Sequence, residues 1–256
     1  MTDTDLKVWS DRDGRLLRLR LDRPKANIVD NAMVRALDGA LAAGEGNRRL
    51  LAVLIDHAGP HFSYGASIQE HAPDSCAAML RLFHGLIGRM VSYPVPILVA
   101  VGGQCLGGGL ELASAGTLIF AAPDARLGQP EIKLGVYAPA ASCLLPERIA
   151  FAAVQDMLLS GRSLSGEEAK AIGLVAATAA DPEAAALAYF DAHYAALSAS
   201  SLRFAVAAAR GDRPARIERR LAEVEARYVD ALMRTADPKE GLAAFLEKRP
   251  PRWRDE

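Results

Sequence analysis

Two glutamates are set apart by their neighbours. Glu111 lies in Leu110-Glu111-Leu112-Ala113, and Glu131 lies in Gly128-Gln129-Pro130-Glu131-Ile132. Most of the 31 acidic residues of such a chain are solvated, and accidental pairs are common. A carboxyl in so apolar a stretch is either exposed on one helix face or buried with a task. Burial raises its pKa and suits it to general acid–base work. Just before Glu111, Gly107-Gly108-Gly109 falls between an apolar run and a helical start. Glycines there serve tight packing, or they leave N–H groups free at a helix N-terminus, where the dipole favours an oxyanion. A second loop, Phe62-Ser63-Tyr64-Gly65-Ala66-Ser67, follows a buried strand, where α/β folds build their sites. Gly65 lets the backbone turn and aims the Ala66 N–H into a cleft, although a plain surface turn fits the same residues.

No other catalytic set competes. The glycines match neither the dinucleotide fingerprint nor the P-loop. The five histidines (His57, His61, His71, His84, His193) have no metal-ligand spacing and read as structural. Cys76, Cys105 and Cys143 are odd in number and far apart, which suits free thiols in a reducing compartment rather than a disulfide framework or a zinc site. With 30 basic and 31 acidic residues the net charge is -1, which argues against a nucleic-acid partner. The arginines from Arg213 to Arg234 are interleaved with Glu218, Glu223 and Glu225, as on a solvated amphipathic helix. The longest apolar stretch, Val95 to Val101, is too short to span a bilayer. The acidic start Met1-Thr2-Asp3-Thr4-Asp5 is unlike a signal peptide, so a cytoplasmic protein is expected.

The elements that must hold these groups are legible in outline. Leu17, Leu19 and Leu21 alternate with arginines, predicting a half-buried strand. Asp30 is a candidate N-cap for a helix carrying Met33, Val34, Leu37 and Leu41, closed by Gly44 and Gly46. Leu50 to Ile55 predicts a strand covered on both faces. Met79, Leu82, Phe83 and Leu86 repeat at helical spacing until Pro94 and Pro96, and Ile97 to Val101 and Leu118 to Ala122 read as strands. From Pro146 onward the chain reads as mostly helical, with a capping box at Ser165/Glu168 and N-caps at Asp181-Pro182 and Asp237-Pro238. Strand–helix alternation makes α/β the default class. The 256 residues bury a core without metal or disulfide. The 49 alanines, densest between Ala176 and Ala209, suggest closely packed helices.

Three separated motifs then resemble the crotonase, or enoyl-CoA hydratase/isomerase, superfamily: Phe62–Ile68, Cys105–Ala113 and Arg126–Ile132. The tail Glu240-Gly241-Leu242-Ala243-Ala244-Phe245-Leu246-Glu247-Lys248-Arg249 is a fourth, and the likeness runs over nearly the whole chain. The resemblance implies a spiral of ββα units, with residues 1–195 as catalytic core and 196–256 as a helical trimerisation region. It implies a coenzyme A thioester substrate, no cofactor, and a homo-oligomer, either a trimer or a dimer of trimers. The N–H groups of Ala66 and Gly108 would form the oxyanion hole. Glu111 would take a proton from attacking water and Glu131 would deliver one to carbon. Lys25 and Ala26 match the segment that contacts the coenzyme A nucleotide, Tyr64, Ala66, Ser67 and Ile68 match further positions that bind the substrate, and Phe245 and Lys248 match tail residues that reach a neighbouring subunit's coenzyme A. The acyl group itself would meet apolar positions such as Ile68, Leu80, Phe83, Tyr137 and Pro139.

The chain also departs from ordinary short-chain hydratases. Ala138-Pro139-Ala140-Ala141 replaces a glycine-rich segment, and Ser67 stands where aspartate is usual. The stretch Gly135–Ala141 lacks the further acid of diene isomerases. Gly65-Ala66-Ser67, Glu70-His71-Ala72-Pro73 and Phe83-His84, with Gly128–Val136, are similar to the cyclic dienoyl-CoA hydratases. These act on cyclohexa-1,5-diene-1-carbonyl-CoA in anaerobic benzoyl-CoA breakdown. A general enoyl-CoA hydratase, an isomerase or lyase on the same fold, and a non-catalytic scaffold or RNA-associated member remain the alternatives.

Overall fold

The structure, a computed structural model, describes residues 5–23, 25–72 and 74–256; Met1 to Thr4 and Pro73, quoted above, lie outside them, as does Pro24. The chain runs β1 (Leu6–Asp11), β2 (Leu16–Leu21), α1 (Asn31–Glu45), β3 (Ala52–His57), α2 (Cys76–Ser92), β4 (Ile97–Val101), β5 (Gln104–Leu106) and α3 (Gly108–Ala115). It continues through β6 (Leu118–Ala121), β7 (Arg126–Gly128), α4 (Pro139–Leu144), α5 (Phe151–Ser160), β8 (Ser163–Ser165), α6 (Gly166–Ala171) and β9 (Ala177–Thr178). Four helices follow: α7 (Pro182–His193), α8 (Ala199–Arg210), α9 (Arg213–Asp230) and α10 (Asp237–Leu246).

Among the described residues one sheet has the order β1-β2-β3-β4-β6-β9, parallel except for the β1–β2 hairpin. A smaller sheet has the order β5-β7-β8. Successive strands alternate between the sheets: β4 then β5 then α3, and β6 then β7. This is the expected ββα spiral, and it delivers α3 and the segment after β7 to the same edge of the small sheet. Parallel strands need cover on both faces. Val53, Ile55, Ile97 and Val99 face α1, α2 and α3, whereas Leu16, Leu54, Leu98 and Phe120 face Ala186 and Phe190 of α7.

That double cover corrects one expectation. The segment read as half-buried, β2, is enclosed on both sides. Leu16 is fully buried, and Arg18 is 3% exposed, its guanidinium 2.5 Å from Asp56 of β3 and also paired with Glu183 of α7. Alternation of leucine and arginine therefore marks two buried faces, one apolar and one ionic. A charge is tolerated there because carboxylates meet it.

Helix ends follow the sequence at Asp30, whose carboxylate accepts from Met33 N (2.9 Å), and at Asp181. The Ser165/Glu168 capping box is complete. Asp237 behaves otherwise: it is the first residue of α10 rather than its N-cap. Its carboxylate accepts from the N–H groups of Arg254 (2.7 Å) and Asp255 (3.0 Å) near the end of the chain. The alanine excess is only partly a matter of packing. Ala186 is buried under the sheet, but Ala205, Ala207, Ala208 and Ala209 of α8 are exposed. The arginine-rich helix α9 buries Ile217, Leu221 and Tyr228 and packs on α2 and α4.

The far end of α3 is held by Arg148. Its Nη1 donates to the carbonyls of Ser114 (3.1 Å) and Gly116 (2.7 Å), and its Nη2 donates to Thr117 O (3.2 Å). A cation there opposes the negative end of the helix dipole. Arg148→Met is expected to lower the free energy of unfolding by about 2–4 kcal/mol, since charged hydrogen bonds are lost and carbonyls are left unpaired. Urea denaturation measures it, and a change within a few tenths would show that water replaces the guanidinium.

Candidate active site

The oxyanion-hole candidates are brought together by backbone geometry. Gly65 has φ +110°, a conformation that side chains resist, and a Cβ there would stand 3.0 Å from Leu106 O. The loop is stitched in place: Ser63 N donates to Gln104 O, Leu106 N to Ser63 O, Tyr64 N to Ala26 O and Val29 N to Gly65 O. Gly107, at φ +49°, turns the chain from β5 into α3, and its N–H donates to Gly128 O (2.9 Å). These turns leave the N–H groups of Ala66 and Gly108 without acceptors among the described residues. They also lie side by side, for a Cβ built on Gly108 would stand 3.0 Å from Ala66 N.

Both glutamates face the same space. Glu111, in the first turn of α3, is 5% exposed, and its Oε1 accepts from Ala141 N (2.8 Å) at the start of α4. The alanine-for-glycine segment thus still points an amide at this carboxylate. Glu131 sits in the 3-10 turn Pro130–Leu134 that follows β7. Its carboxyl is enclosed, and its Oε1 lies 2.6 Å from where a Cβ on Gly107 would be, while the φ of +49° at Gly107 is what resists a side chain there. Burial pushes the Glu111 carboxyl up to about 7. Glu131 is raised well above the ordinary range by burial and then by the neighbouring charge of Glu111. Two carboxyls in one enclosed space cannot both ionise cheaply, so the pair holds one proton to higher pH than an ordinary carboxyl would.

The enclosing cavity measures about 70 Å³. Its walls include all five apolar positions named from the sequence: Ile68, Leu80, Phe83, Tyr137 and Pro139. Met79, Val136 and Leu242 complete it. A wider hollow of about 390 Å³, lined by Arg148, Arg210 and Arg213, holds neither the carboxyl pair nor the free amides. Among the other sequence candidates, Tyr64, Ala66 and Ile68 line the small cavity, and Lys25 and Ala26 lie beside its rim through the Ala26–Tyr64 hydrogen bond. Ser67 turns its hydroxyl to Gln69 Oε1 (3.1 Å). Phe245 (54% exposed) and Lys248 are on the outside at the end of α10 and do not border this chain's cavity.

Two residues escaped the sequence reading. Gln129 is fully buried, and one terminal atom of its amide lies 3.0 Å from both oxygens of Glu131. An amide donates to an ionised carboxylate or, turned over, accepts from a protonated one, so Gln129 holds Glu131 in either state. A glutamine two positions before a glutamate was the only signal. His71, assigned a structural role with the other histidines, lines the cavity.

The spiral brings paired free amides and an enclosed carboxyl pair to one cavity. The model of the family "Enoyl-CoA hydratase/isomerase" matches residues 11–256, and the chain belongs to that family. It is 62% identical to the cyclohexa-1,5-dienecarbonyl-CoA hydratase of Thauera aromatica over 97% of this chain and 96% of that one. It is 33% identical to a probable enoyl-CoA hydratase of Bacillus subtilis, over 93% and 95% of the two chains. Among solved structures, an enoyl-CoA hydratase/isomerase from Pseudoalteromonas atlantica superposes with a TM-score of 0.84 at 27% identity, covering 97% of this chain and 99% of the other.

Proposed function

We propose that this enzyme adds water to a cyclic dienoyl-CoA thioester, cyclohexa-1,5-diene-1-carbonyl-CoA, with Glu111 and Glu131 as base and acid. The observation that carries the reading is the enclosed carboxyl pair facing the two free N–H groups across one small cavity. Similarity to the Thauera aromatica enzyme supports the choice of acyl group.

In this mechanism the thioester carbonyl accepts from Ala66 N–H and Gly108 N–H. Water attacks the β-carbon as ionised Glu111 takes its proton, and the electron pair moves through the ring onto the carbonyl oxygen. The two amides and the N-terminal end of α3 hold that charge. The pair then returns to carbon, and Glu131 places its proton at the far end of the conjugated system. Glu111 ends protonated and Glu131 ionised, and transfer of one proton between them restores the start. No cofactor is required, since the charge is held electrostatically.

Residues 196–256 belong to the same proposal as the region that joins subunits in a trimer or dimer of trimers. Exposed Phe204, Phe245 and Leu246 are apolar surface that an interface would cover, placing Phe245 and Lys248 at a neighbour's coenzyme A. Three buried free thiols fit cytoplasmic residence.

The test is a panel of acyl-CoA thioesters followed by mass. Gain of one water by the ring dienoyl thioester, in preference to crotonyl-CoA, is expected. A preference for crotonyl-CoA would refute the ring substrate, and a product of unchanged mass would refute hydration.

A further inference from the structure

The acyl cavity contains an imidazole that the mechanism leaves unused. His71 follows the loop that carries Ala66 and closes a 3-10 turn, Gln69–His71. The turn is anchored at both ends: the Glu70 carboxylate accepts from Asn31 N (3.0 Å), and His71 Nδ1 lies 2.7 Å from Ser67 O. A carbonyl oxygen only accepts, so Nδ1 carries the hydrogen. Burial holds the imidazole below its ordinary pKa, and the ring is therefore neutral. Nε2 is then a lone-pair acceptor. It has no partner among the described residues, yet it is not sealed away like Nε2 of His84.

The other polar side chains of the wall are committed or remote. Tyr137 donates to Val224 O (2.6 Å), Tyr64 stands at the rim with 45% exposure, and the glutamates carry the proton transfer. The remaining wall is apolar, drawn from Ile68, Met79, Leu80, Phe83, Val136 and Leu242. An acyl ring bound in this cavity packs against that wall, of which His71 is a part. An alkyl ring gains nothing from a bare acceptor, whereas a ring hydroxyl can donate to it.

We propose that His71 Nε2 accepts a hydrogen bond from the hydroxyl of a hydrated ring thioester, making His71 a specificity-determining residue for alicyclic hydroxyacyl-CoA ligands. This rests on the ring-thioester reading above. The substrate class it selects is a ring that carries a hydroxyl or gains one in the reaction.

The experiment compares two ring thioesters as competitive inhibitors of hydration: 6-hydroxycyclohex-1-ene-1-carbonyl-CoA and cyclohex-1-ene-1-carbonyl-CoA, which lacks the hydroxyl. The wild type should bind the hydroxylated ring more tightly. His71→Met, which keeps bulk but not the acceptor, should lose about five- to tenfold of that preference. Its inhibition constant for the ring without hydroxyl should stay within about twofold. His71→Gln, which retains a donor for Ser67 O and an acceptor, should keep most of the preference. An equal weakening of both rings would assign His71 to loop packing alone and overturn the proposal, as would an unchanged preference in His71→Met. If the wild type does not hydrate the ring dienoyl thioester, the earlier reading fails with this one. If it does, and the preference is unmoved, this inference fails alone.

Discussion

Glu111→Gln and Glu131→Gln are each expected to cut kcat by about 10²–10⁴-fold, the usual worth of a positioned acid or base. Dissociation constants for non-reacting acyl-CoA ligands should change little, because glutamine keeps the shape, and at 111 it still offers an oxygen to Ala141 N. Near-normal turnover in either variant would remove that residue from the mechanism. The pH profile follows from the same pair. Activity should fall on the acid side as Glu111 is protonated near 7, and on the alkaline side as Glu131 loses the proton it must deliver. Stability has the opposite relation to ionisation. Between the unfolded carboxyl value, about 4.3, and the folded value of Glu111 near 7, the native state binds more protons than the unfolded state. The free energy of unfolding therefore declines as pH rises through that window. Glu111→Gln should remove the part of the decline that Glu111 contributes and be more stable than the wild type by about 1–3 kcal/mol above pH 8, with little difference at pH 4.5. Urea melts at the two pH values measure it. A variant less stable at both would mean that the carboxylate contributes net stability.

Gly108→Ala carries the second large effect. A methyl there would stand 3.0 Å from Ala66 N, between the two N–H groups and in the space the thioester oxygen must enter. Both donors survive, but the carbonyl cannot reach them. Loss of kcat/KM by about 10²–10³-fold is expected, comparable to removing an oxyanion-hole donor. Alanine suits a helical first turn, so the melting temperature should stay within a few degrees. Unimpaired turnover by a folded Gly108→Ala enzyme would place the oxyanion elsewhere.

Much of the architecture was readable because it rests on local rules. Asp30 caps α1 as its position before Met33, Val34, Leu37 and Leu41 requires, and the apolar runs at β3 and β4 lie inside a covered sheet. Where reading failed, the deciding partner was distant. Arg18 looks solvated until Asp56 and Glu183 arrive from β3 and α7. Asp237 looks like a cap until the C-terminal N–H groups reach it. Strands as short as β8 and β9 have too few residues to show a period.

The candidate site divides in the same way. Sequence alone determined which groups are available: Glu111 in an apolar setting, a second candidate carboxyl at Glu131, glycines beside a helix start, and a loop able to turn an N–H inward. Residue types and near-neighbour geometry carry that information. Only the tertiary structure decided that these groups share one cavity of about 70 Å³, that Glu131 stands against Gly107, and that Gln129 holds that glutamate. The raised pKa values belong to the same category. Enclosure and the field of one carboxyl on another depend on α3, α4, β7 and the loop at Ala66 packing together, and no local stretch of sequence encodes the distance between them.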